Sequence, residues 1–78
     1  MNYEEWLEKA NTIIESKIQS GKSFEVKQLF PGHEWEKLSR GDRIGFGRYF
    51  SMAVKEGRFP SIEKCGEGKT HHNVYIKL

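Results

Sequence analysis

At 78 residues the chain has room for one domain, 1–78, because two halves would each be too short to enclose a core. Thirteen Lys and Arg against eleven Asp and Glu leave only +2, short of a polycation, and five Phe, three Tyr and two Trp exclude a ring-poor disordered tract. With no apolar run near ~20 residues, two acids in the opening MNYEEWL and a lone Cys65, the expectation is a cytoplasmic protein without a membrane partner or internal disulfide.

Asn2 followed by Glu5 has the capping-box spacing that satisfies free amides at a helix start. Tyr3, Trp6, Leu7, Ala10, Ile13, Ile14 and Ile18 then recur at steps of three and four, which predicts a first helix with one apolar face and an exit at Gly21. Gly21-Lys22-Ser23 reads as a turn. Phe24 and Val26 alternate with polar neighbours in the manner of a very short edge strand. Residues 27–38 read as a short second helix, broken by Pro31-Gly32.

Ser39 and Asp42 repeat the capping arrangement and open a third helix. Its buried face is expected to comprise Ile44, Phe46, Gly47, Tyr49, Phe50, Ala53 and Val54, leaving Arg40, Arg43, Arg48, Ser51 and Lys55 to project outward. Gly45 and Gly47 each cost a helix about 1 kcal/mol relative to Ala, which fits a neighbouring helix packed very close. Gly57 stops the helix, with Arg58 near carbonyls that favour a cation. The remainder reads as a hairpin: a strand at 61–65, a turn from Gly66 to Lys69, and a return strand covered on its Val74, Ile76 and Leu78 side.

Helix, short strand, broken helix, helix and two-stranded hairpin make an α+β, winged helix-like order, that of a winged helix-turn-helix domain whose third helix is the recognition element. The chain also resembles an uncharacterised family of short bacterial and phage proteins, a domain of unknown function. The residues that carry the resemblance are Phe24-Glu25-Val26-Lys27-Gln28-Leu29-Phe30, Trp35, Leu38, Arg40-Gly41, Gly47-Arg48, Phe50, Val54 and Tyr75, spanning about residues 23–78. The resemblance implies a fold but no activity, so no functional residue is inherited from it.

Charge is unevenly placed. Residues 1–20 hold four Glu against two Lys, whereas residues 40–78 hold eight cations against four acids, so a polyanion would meet the second half. Within that half, Arg40, Arg43, Arg48, Ser51 and Lys55 are the candidate DNA contacts of the third helix, since a guanidinium fork matches guanine edges and phosphates alike. Lys64 and Lys69 are candidate wing contacts on the phosphate backbone. The same charges also suit a solvated surface, with arginines paired to Asp42 or Glu56 and the hairpin tip moderated by Glu63 and Glu67.

Trp6, Trp35, Phe24, Phe30, Tyr49 and Phe50 are most simply core; Trp35, beside Pro31-Gly32, is the first candidate for a protein contact. His71 and His72 are strand neighbours that face opposite ways, and with His33 and Cys65 they show no zinc spacing, so no metal or other cofactor is expected. No nucleophile–base–orienter set is present, and no enzyme is expected. The sequence therefore points to a small transcriptional or phage regulatory factor binding double-stranded DNA as a monomer or homodimer, with a protein–protein adaptor as the competing reading.

Overall fold

The computed structural model describes residues 2–67 and 73–78; the part of the expected hairpin that includes Lys69, His71 and His72 lies outside them. The first helix, α1, spans Tyr3–Lys17, and the Asn2 side chain accepts from the Glu5 amide at 3.1 Å, as the capping spacing predicts. At its other end the Lys77 ammonium donates to the Ile14 carbonyl at 2.8 Å, placing a cation where unpaired helix carbonyls concentrate negative charge. The chain then turns into β1, Ser23–Phe24.

The expected second helix is two pieces. Residues Val26–Leu29 form a single 3-10 turn, and α2 spans Gly32–Glu36. The break falls at Phe30, held extended at φ −112° and ψ 150°. Proline is the cause, because its ring disfavours helical geometry in the preceding residue while its own fixed φ suits the entry to a new helix.

Helix α3 spans Arg40–Lys55, and the Ser39 hydroxyl accepts from the Asp42 amide at 3.1 Å. It ends in a Schellman turn: Gly57, at φ +80°, donates to Val54, and the Arg58 amide donates back to Ala53. Strand β2, Ile62–Glu67, and strand β3, Asn73–Lys77, complete the chain.

The three strands form one antiparallel sheet in the order β1-β3-β2, so β3 is central and Tyr75 pairs with Phe24 on one side and Lys64 on the other. Between Lys64 and Gly66 the ladder slips by one residue, leaving Cys65 unopposed in a β-bulge. Gly66 has φ +152°, a region that residues with a Cβ avoid. Its place is thus inside β2 at the bulge, and not in the turn that the sequence suggests.

The core draws Leu7, Ala10 and Ile14 from α1, Phe46, Phe50 and Ala53 from α3, and Phe24, Ile62 and Tyr75 from the sheet, joined by Leu29, Phe30 and Phe59. Phe46 is central, within 6.5 Å, ring to ring, of Tyr3, Trp6, Phe30, Trp35 and Phe50. Two side-chain faces differ from the sequence pattern. The covered side of β3 is that of Tyr75, which is fully buried, while Leu78 is 59% exposed. A period of two separates two faces without saying which is inward, and the Tyr75 ring wins by packing on Phe24 and, edge to face, on Phe50. Ile44, assigned to the buried face of α3, is 48% exposed.

Candidate functional site

An α-helix turns 100° per residue, and along α3 this sorts side chains into two sets. Phe46, Phe50 and Ala53 point into the core, flanked by Gly45 and Tyr49 on the side of Tyr3. The other half of the helix carries Arg40, Arg43, Ile44, Gly47, Arg48, Ser51 and Met52, and all seven line one groove of about 890 Å³. Its remaining walls are Glu25, Val26 and Lys27 before α2, Trp35 on α2, and Asn73 and Tyr75 on β3.

The structure thus brings Arg40, Arg43, Arg48 and Ser51 together, and adds Lys27, which sequence reasoning did not single out. Four cations face a single carboxylate, Glu25. Among the described residues the one salt bridge is Arg58–Glu4, elsewhere in the molecule, so neither Asp42 nor Glu56 neutralises the groove arginines. Lys55 is exposed at the end of α3, outside the groove lining. Lys64 lies on the edge strand β2 opposite Tyr75, and Lys69 is outside the described residues. Trp35, expected as an exposed contact, is half-buried: its ring stacks on Phe30 with 5° between planes, and it also lines the groove.

Tyr75 is the one side chain at the groove that is fully buried, and its hydroxyl makes no hydrogen bond among the described residues. Burial pushes this phenol above its ordinary value, and the nearby Ser51 and Asn73 side chains, which also line the groove, oppose that rise. Tyr75 was legible as a strand residue, but it borders this groove only because its ring packs against Phe50 of α3. Gly47 is the second surprise. A Cβ built there would meet nothing within 4 Å, so this glycine opens the groove, contrary to the close helix contact expected of it. The close contact belongs to Gly45 alone, where a Cβ would collide with the Tyr3 hydroxyl.

A second polar cluster lies away from the groove. The Arg58 guanidinium donates to both carboxylate oxygens of Glu4, at 2.8 and 2.7 Å, and the Tyr49 hydroxyl donates to the same carboxylate. These two donors hold the Glu4 carboxyl down at about 2, while the carboxylate pushes the Tyr49 phenol up. Arg58 therefore ties the start of α1 to the end of α3 through its side chain, a partnership 54 residues apart that the helix-terminus reading missed.

Among the described residues no three His, Cys, Asp or Glu side chains gather to hold a metal ion, and no helix is long and apolar enough to cross a membrane. Compared with known proteins, residues 8–77 match the family model described as "Domain of unknown function (DUF1413)". Neither a curated protein nor a solved structure matches the chain.

Proposed function

The chain belongs to that family, and we propose that it is a small, non-catalytic DNA-binding module, a transcriptional or phage regulatory factor that sets α3 in the major groove of double-stranded DNA. The observation that carries this reading is the row of Arg40, Arg43 and Arg48 along one side of α3, free of carboxylate partners among the described residues. Guanidinium groups so placed offer bidentate donors to phosphate or to the O6 and N7 of guanine. The strand order β1-β3-β2 with three helices supports it further, since a winged helix domain, in which the third helix meets DNA and the hairpin flanks it, would have this order. Lys64, and Lys69 beyond it, would then reach the backbone beside the recognition helix.

The test is fluorescence anisotropy with mixed-sequence duplex DNA across a salt series. Log affinity should fall linearly with log salt, at a slope of about −3 if three to four phosphates are neutralised. Changing Arg43 and Arg48 together to Ala should flatten that slope by about 2 while leaving the fold intact. Flat anisotropy at low salt and high micromolar protein would remove the reading.

One observation favours a protein partner instead: Ile44 and Met52, 48% and 58% exposed, lie among the same arginines. Ile44→Ser with Met52→Ser separates the two. A protein partner retained after nuclease treatment would be lost with this pair, whereas DNA affinity would stay close to that of the parent.

A further inference from the structure

We infer that the chain associates with itself head to tail, the acidic ridge of α1 in one copy seating against the arginine-lined α3 groove of the next. The inference needs only the charges of these two faces and does not rest on the DNA reading.

Its first support is a set of carboxylates that the fold leaves unused. Glu5 and Glu8 on α1 and Glu34 on α2 are exposed around one depression, and none of them belongs to the one salt bridge among the described residues. Lys9, the single cation in that lining, sits over the Trp6 ring, 5.5 Å from its centroid. The second support is the groove, where Arg40, Arg43, Arg48 and Lys27 face Glu25 alone. Each face carries an excess of charge, and the two excesses have opposite sign.

Sign decides the geometry. A symmetric pair laying groove on groove would set arginine against arginine, and ridge on ridge would set glutamate against glutamate, both repulsive. Groove against ridge pairs opposites, so the contact is heterologous. Shape agrees: Glu5, Glu8 and Thr12, at steps of three and four, share one exposed ridge of α1, a convex edge for a concave wall. Ile44 and Met52, exposed among the arginines, gain apolar cover from Ile13 beside that ridge. Each pair keeps a free groove at one end and a free ridge at the other, so the same contact can repeat. Exposed ion pairs are individually weak and screened by salt, which confines the association to high concentration and low ionic strength.

Sedimentation velocity of the full chain is the test. The parent's weight-average sedimentation coefficient should rise between about 20 µM and about 2 mM protein in ~20 mM salt. It should return to the monomer value in ~300 mM salt, where the Debye length falls to about 6 Å. Two charge-reversed chains locate the contact: Glu8→Lys with Glu34→Lys, and Arg43→Glu with Arg48→Glu. Alone, each should stay monomeric at the highest concentration, since both its faces then carry one sign. Mixed in equal amounts they should associate, because the first keeps an intact groove and the second an intact acidic ridge; circular dichroism matching the parent's confirms that both are folded. The parent series decides even where a variant fails to fold: a monomer throughout in low salt overturns the inference. Association that salt leaves unchanged overturns it as well, as does a mixture of folded variants that stays monomeric. A monomeric parent that binds duplex DNA would make DNA the groove's occupant instead, whereas a parent that self-associates and ignores DNA would sink the DNA reading alone.

Discussion

Gly45 and Gly47 sit two positions apart in α3 and have opposite surroundings, one against Tyr3 and one open to the groove. In sequence they are indistinguishable: each reads as a helix-weakening glycine, because what differs is the neighbour that tertiary packing brings. Alanine at either position gains about 1 kcal/mol of helix propensity, so comparing the two variants isolates the collision. Urea unfolding should find Gly47→Ala more stable than the parent, and Gly45→Ala less stable than Gly47→Ala by about 1 kcal/mol, the low end of the overpacking cost, because the atoms in the way are the tip of the Tyr3 side chain. Shortening Tyr3 to Ala should erase most of that gap. Tyr75 and Ile44 carry the same lesson. Alternation and helical spacing place them on a face, but the hydroxyl of Tyr75 argues for the surface and the side chain of Ile44 for the core, and packing reverses both.

Elements were mostly legible where their signals are local, although α1 ends at Lys17 with Ile18 already extended, so Gly21 serves the turn that follows and is not the helix exit expected of it. The Asn2 and Ser39 caps and the Schellman exit at Gly57 are written within a few residues of each helix end, and all appear where expected. What joins the elements was not legible, since Glu4 and Arg58 are far apart in sequence and no local pattern pairs them. That pairing predicts a pH dependence of known sign. Glu4 titrates at about 2 in the folded chain against an ordinary value of 4.5, so between these the unfolded chain binds more protons. The stabilisation is complete above about 4.5 and is lost as pH falls toward 2. Urea midpoints measured down that range should drop in the parent, and Glu4→Gln should remove this part of the drop. Because the pair is about half exposed, the effect should also shrink at high salt.

At the scale of the whole molecule, charge is divided between surfaces. Glu5, Glu8 and Glu34, with Lys9 as the one cation among them, surround a shallow depression beside Ile13 and Phe30, whereas the α3 groove gathers three arginines and Lys27 around Glu25. The uneven charge was plain in the sequence; the inclusion of Lys27 and Glu25 was not, because the segment before α2 reaches the groove only through the fold. The division predicts where a neutralised acid matters. Glu25→Gln removes the one carboxylate that lines the groove among the described residues and, on the proposed DNA reading, should raise affinity severalfold at low salt, while Glu8→Gln should change it little; salt titrations of the two variants side by side supply the comparison.

The place of β3 at the centre of the sheet has a consequence for the birth of the chain. Both outer strands need it, yet it is the last of the three to leave the ribosome, so during synthesis β1 and β2 emerge with no edge to pair against. Phe24 and Phe50 likewise wait for Tyr75 to cover them. Nascent helices can flicker meanwhile, but the sheet closes only in one late step, and a polypeptide stalled before Asn73 would present sticky aromatic surface to chaperones and proteases.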